Sequence, residues 1–126
     1  MVCRGIRGAN SVKENTSQAI QAATEELLRA LIEANDLKTE DVACAIFTTT
    51  PDLNAAFPAA TAREKLGWVD VPLMCGHEMD VPNSPRKILR VMLLVNTDRP
   101  QSQVAHRYLN EARKLRPDMS AAGARK

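Results

Sequence analysis

The chain has 126 residues, enough for one hydrophobic core but not for two. Apolar residues make up 44% and charged residues 25%, and 17 basic against 15 acidic side chains leave a net charge of only +2. With four aromatic residues (Phe47, Phe57, Trp68 and Tyr108) and no block of like charge, the sequence offers neither a base-stacking face nor a phosphate track, so no nucleic-acid partner is expected.

The first residues, Met1-Val2-Cys3-Arg4-Gly5, lack the apolar region of a signal peptide. No run approaches the roughly 18 apolar residues of a membrane span. Cys3, Cys44 and Cys75 are odd in number, far apart and without a C-x-x-C pair, and His77 and His106 are too scattered for a structural zinc site. Reduced thiols, a cytoplasmic location and no metal are expected.

Val2 and Ile6, among small and basic residues, predict a strand over residues 2–9. Asn15 or Thr16 can cap a helix whose apolar positions, Ile20, Ala23, Leu27, Leu28, Leu31 and Ile32, follow the three-four spacing of an amphipathic face. It should end near Asn35. Val42 to Thr50 has the β-branched content of a buried strand, stopped by Pro51 and Asp52. A second helix is expected from Pro58 to Gly67, then a strand over Val71–Cys75, a turn at Pro82-Asn83-Ser84-Pro85, and a strand over Ile88–Thr97 that Pro100 breaks. Beyond Pro100, Val104, Tyr108, Leu109 and Leu115 fit a helical spacing. Residues 1–118 are read as one domain, and 119–126 as a flexible tail. The order of elements indicates an α/β (α+β) domain with one mixed sheet and helices on one face. The other face, left open, would favour oligomerisation.

Several arginines are hard to explain as surface solubilisers. Arg4 and Arg7 flank Gly5, and a glycine beside a strand arginine often lets something approach the backbone closely. Arg90 shares a strand face, by the period of two, with Ile88, Met92 and Leu94. A guanidinium there needs an anionic partner. That partner is either Glu78 or Asp80 in a structural salt bridge, or a bound ligand, and the residues alone leave the two readings even. Cys75, His77 and Glu78 follow a strand end, where function often sits. A Cys75–His77 nucleophile pair has no third group to orient it, and Glu78 is either a general base or an exposed loop residue. Walker, dinucleotide-binding, serine-hydrolase and zinc-protease motifs are all absent, so no cofactor is expected.

Taken in order, Arg4-Gly5-Ile6-Arg7-Gly8-Ala9, Thr50-Pro51-Asp52-Leu53-Asn54-Ala55-Ala56-Phe57-Pro58-Ala59, Arg63, Val71-Pro72-Leu73-Met74-Cys75, Glu78-Met79-Asp80-Val81, Arg90-Val91-Met92, Asn96-Thr97-Asp98, Val104-Ala105-His106-Arg107-Tyr108-Leu109 and Leu115-Arg116-Pro117-Asp118 resemble the bacillus-type, trimeric AroH class of chorismate mutases. The resemblance spans about residues 2–120 without gaps. It implies the rearrangement of chorismate to prephenate, in phenylalanine and tyrosine biosynthesis, with no cofactor and no covalent intermediate. It implies one mixed five-stranded sheet per subunit, with a strand around Tyr108. It further implies a homotrimer forming a pseudo α/β barrel, with active sites between subunits.

By the same resemblance, Arg7 with Tyr108 binds a substrate carboxylate, and Arg90 reaches the ether oxygen and a carboxylate. Glu78 and Cys75 hold the ring hydroxyl. Phe57, Ala59, Leu73 and Met74 line the pocket, Arg63 and Arg116 stand at its rim, and Leu115 closes it. The family often has lysine at position 60 and threonine at position 74, where this chain has Ala60 and Met74, and losing a rim cation puts electrostatic steering in doubt. Two other readings share these features: an imine deaminase of the RidA-like trimers, and a non-catalytic carboxylate-binding trimer.

Overall fold

The structure is a computed structural model and describes residues 1–117; the tail read over 119–126 lies outside the described residues. The elements are β1 (Val2–Ser11), α1 (Ser17–Asn35), β2 (Val42–Thr49), α2 (Pro58–Leu66), β3 (Leu73–His77), β4 (Ile88–Thr97) and β5 (Arg107–Tyr108). Short 3-10 turns cover 39–41, 101–103 and 110–114. The strands form one five-stranded sheet in the order β3-β2-β4-β1-β5. β4 runs antiparallel to β1 and β2, whereas β3 and β5 run parallel to their inner neighbours. This is the mixed sheet expected from the sequence.

The period-two alternation of β4 decides which face is which. Leu89, Val91, Leu93 and Val95 are buried in the core with Leu27, Leu28 and Leu31 of α1 and with Ala59 and Ala62 of α2. Arg90, Met92 and Leu94 point the other way and are half-buried. Both helices thus cover one face, and the opposite face carries Arg7 and Arg90. Leu28 is fully buried in this core, and truncating such a side chain to alanine costs about 2–5 kcal/mol.

Thr16, rather than Asn15, caps α1, its hydroxyl accepting from the Ala19 amide at 3.1 Å. Asn15 instead ties the start of α1 to the loop ahead of α2, its Oδ1 accepting from the amides of Asn54 and Ala55 at 3.0 Å each. α2 ends on Gly67 in the left-handed conformation (φ 71°). Gly8 is required for a different reason. A Cβ there would stand 2.9 Å from the Leu27 and Leu31 methyls and 3.1 Å from the Arg107 carbonyl oxygen, so α1 and β5 pack directly on the β1 backbone.

Three expectations shift. β1 runs two residues past Ala9, because its antiparallel register with β4 continues through Ser11↔Ile88. β3 begins at Leu73, not Val71, since Pro72 has no amide to donate to a ladder; its pairing with β2 then carries it to His77. The helical spacing after Pro100 is not a helix. Val104 follows the 101–103 turn, Tyr108 lies in β5 and Leu115 follows the 110–114 turn. β1 offers β5 an open hydrogen-bonding edge, and tertiary pairing overrides the local pattern there.

Candidate active site

Strand register alone assembles the centre of the open face. Gly76, Thr48, Arg90, Ala9 and Tyr108 are paired across all five strands and so form one transverse row. The adjacent row on the same face runs Met74, Ile46, Met92, Arg7. Ala9, completely buried, packs with Ile88, Tyr108 and Ala112. Beside that cluster lies a cavity of about 190 Å³, lined by Arg7, Thr48, Arg90 and Tyr108 together with Gly8, Ile46, Val91 and Met92.

Two polar pairs frame this cavity. Arg7 Nη2 donates to the Tyr108 hydroxyl at 3.1 Å, while the Arg7 amide donates to His106 Nδ1 at 3.0 Å. Arg90 Nε stands 3.0 Å from Glu78 Oε2, with the side chains 39% and 17% exposed. The Thr48 hydroxyl donates to the same carboxylate oxygen at 2.7 Å, and the Glu78 amide donates to the Thr49 carbonyl at 2.8 Å. Of the two salt bridges weighed for Arg90, the Glu78 one forms; Asp80 meets Arg86 at 3.5 Å instead. The pair is held by proximity. The Arg90 Nε–H is not directed at Glu78, and it is a buried donor without a hydrogen-bond acceptor among the described residues.

β3 presents its alternate residues to the other side. Cys75, paired with Phe47, opens on a second cavity of about 350 Å³ shared with Thr49, Leu53, Phe57 and His77. His77 Nδ1 lies 3.1 Å from the Thr49 hydroxyl. Cys75 and His77 therefore share a face, as the period of two requires, and that face is not the one bearing Arg90. Phe57 stands 73% exposed at the rim of this cavity.

The remaining sequence candidates scatter around these two cavities. Met74 is 67% exposed on the Arg90 face. Ala59 is buried in the subunit's own core, with Leu73 half-buried against it. Arg63 is exposed on the last turn of α2. Leu115 packs on the small cluster of Ala9, Ile88, Tyr108 and Ala112, and Arg116 follows it, half-buried. Arg4 has a structural partner, its Nε donating to the Arg99 carbonyl at 3.0 Å. Sequence reasoning missed Thr48, Ile46, Ala9 and His106. Counting β2 by twos puts Ile46 and Thr48 on one face of that strand, and only the register with β4 sets them beside Arg90 and Met92; nothing in the sequence signals that His106 meets the Arg7 backbone.

Asp52 pins the loop that feeds β4 and hence Arg90. Its Oδ2 accepts from the Lys87 amide at 3.0 Å, while the Thr50 hydroxyl accepts from the Ile88 amide at 3.1 Å. Burial works to raise the Asp52 pKa. Hydrogen bonds from Thr50 and from the Asp52 and Lys87 backbones, with Arg86 nearby, outweigh it and hold the carboxyl below its ordinary value.

No helix among the described residues is long and apolar enough to cross a membrane. The family model described as chorismate mutase type I matches residues 3–119. The chain is 48% identical over 120 residues to the chorismate mutase AroH of Bacillus subtilis, covering 95% of this chain and 94% of that protein. It is 50% identical over 120 residues to the chorismate mutase AroH of Thermus thermophilus, covering 94% and 98%. The solved structure of a chorismate mutase from Clostridium thermocellum superposes with a TM-score of 0.86 at 48% identity, covering 88% of this chain and 98% of the other. Pattern, identity and fold agree, and this chain belongs to the type I chorismate mutase family.

Proposed function

We propose that this chain rearranges chorismate to prephenate, working as a cytoplasmic homotrimer whose sheets form a pseudo α/β barrel with active sites between subunits. The observation that carries the reading is Arg90: a guanidinium with a buried, unsatisfied Nε–H, facing a cavity shared with Arg7 and Tyr108. The reaction is pericyclic and intramolecular, so it needs no nucleophile and no obligate proton transfer. Two levers remain: holding a flexible dianion in its compact reactive shape, and stabilising negative charge on the ether oxygen as the C–O bond breaks. Arg90 supplies the second by accepting that oxygen as the missing partner of its N–H. Arg7, steadied by Tyr108, takes a carboxylate. Glu78, kept in place by Thr48, receives the ring hydroxyl, with Cys75 assisting from the neighbouring edge.

What one subunit leaves incomplete supports a site shared between subunits. The Arg90 cavity, at about 190 Å³, is smaller than the several hundred Å³ of a typical ligand site. Around it Ile46 and Met74 stand exposed, as does Phe57 at the second cavity. A neighbour's Phe57, Arg63, Met74 and Cys75, with Ala59 and Leu73 behind them, would supply the missing wall, and Leu115 and Arg116 its closure. Purified protein incubated with chorismate is expected to abolish its ultraviolet absorbance, with light scattering giving three times the subunit mass. Chorismate that survives unchanged overturns the activity, and a monomeric mass overturns the shared site.

A further inference from the structure

Tyr108 rides on the least paired strand of the sheet. Only Gly8↔Arg107 and Ala9↔Tyr108 join β5 to β1, extended by the Leu109 amide donating to the Ala9 carbonyl at 2.9 Å. Asparagine side chains supply much of the rest. On the entry side, Asn35 of α1 grips Ala105 at both backbone groups, donating to its carbonyl at 2.9 Å and accepting from its amide at 2.7 Å. On the exit side, Asn110 adopts the left-handed conformation (φ 52°), which asparagine tolerates better than most residues. Its Nδ2 donates to Asn10 Oδ1 at 2.8 Å and to Glu26 Oε1 at 3.3 Å. Asn10 is completely buried and donates in turn to the Ala23 carbonyl at 3.1 Å and to Glu26 Oε1 at 3.0 Å.

We infer that Asn110, Asn10 and Glu26 form a latch that positions Tyr108 against Arg7 and thereby sets the affinity of the carboxylate-binding side of the site. The inference rests on the function proposed above. All three are positioning residues, since none lines the Arg7–Arg90–Tyr108 cavity. The link is mechanical. Asn110 lies two residues after Tyr108, and its left-handed turn directs the 110–114 segment so that Ala112 and Leu115 pack on Tyr108, Ala9 and Ile88. An apolar latch could hold the segment down, but hydrogen bonds to named atoms also fix its register, and a slip would leave the buried Asn10 Oδ1 without its donor. Glu26 adds charge-assisted acceptance of both asparagine amides.

Asn110→Gly preserves the left-handed backbone while removing the side chain, and Glu26→Ala removes the acceptor from an exposed position without touching the backbone. Each is expected to raise KM for chorismate about threefold to tenfold, the range one ordinary hydrogen bond gives, with kcat within about twofold. Glu26→Gln keeps an acceptor oxygen and stays near wild type. Tyr108 is the chain's one tyrosine, so 3-fluorotyrosine labelling gives a single fluorine resonance, expected to shift or broaden in Asn110→Gly and Glu26→Ala alone. A melting temperature that falls while KM and the resonance stay put assigns a purely structural role and overturns the latch. If the wild type leaves chorismate unchanged, the functional reading fails separately and the fluorine resonance decides the latch.

Discussion

The two edges of the sheet are built on opposite plans. β3 makes a regular parallel ladder with β2 over five residue pairs, yet four of its five residues are exposed. β5 pairs at only two residues, yet Tyr108 within it is buried and Asn35 and Asn110 hold the flanking chain. One edge is fixed by its backbone and offers its side chains outward. The other is fixed by side-chain hydrogen bonds to α1 and β1. Substitutions on β3 and its neighbours should therefore change chemistry with little effect on stability, and those around β5 should disturb both.

The largest effect is expected at Arg90, the side chain that Glu78 flanks from the β3 end. Arg90→Lys keeps the charge but loses the planar fork, and kcat should fall about 10²–10³-fold, as for loss of one preorganised donor. Near-normal kcat in steady-state assays would remove Arg90 from the mechanism. On the β5 side, Asn35→Ala orphans the buried amide and carbonyl of Ala105, at about 1–3 kcal/mol for each group left unpaired. Urea unfolding should register this loss together with a raised KM, and unchanged stability would mean β5 is held by its ladder after all.

Gly8→Ala tests the packing beneath β5. The new Cβ meets two leucine methyls and a carbonyl, and about 1–3 kcal/mol of stability should be lost. Gly5→Ala, whose Cβ would find only ordinary contacts at 3.6 and 3.9 Å, is the control and should unfold near the wild-type midpoint.

Asp52 gives a smaller, pH-dependent effect. Its folded pKa lies below the unfolded one, so its contribution is complete above the unfolded value and disappears as pH falls through the folded value. Asp52→Asn should therefore flatten the acid limb of stability in and below the ordinary carboxylate range, leaving neutral pH less affected; a wild-type acid limb in that variant would contradict the assignment. Least of all, Cys75→Ala at the exposed β3 edge should stay within a few-fold of wild-type turnover, because no covalent step is proposed; a covalent adduct trapped on Cys75 would reverse that view.

Most of the architecture was legible because burial imposes periodicity. α1 was readable from its apolar stripe, β4 from its apolar run Val91–Val95, and the end of α2 from a glycine with no strain at positive φ. The stranded state of Tyr108 was legible only through family resemblance, since two residues cannot display a period. Within the site, Arg90 drew notice by sharing a strand with apolar neighbours, but its partner stayed undecided between Glu78, Asp80 and a ligand. That choice depends on how the loop after β3 folds back.

The sequence by itself determined the helices, the long strands, the apolar face of α1 and the absence of familiar cofactor motifs, because each follows from local spacing and composition. Tertiary structure decided the row Gly76–Thr48–Arg90–Ala9–Tyr108, the separation of Cys75 from the Arg90 cavity and the asparagine clamps on β5. Register sets the first two: a one-residue slip would turn every side chain to the opposite face. The clamps join residues 70 and 100 positions apart, and only the folded chain brings such donors within reach of their acceptors.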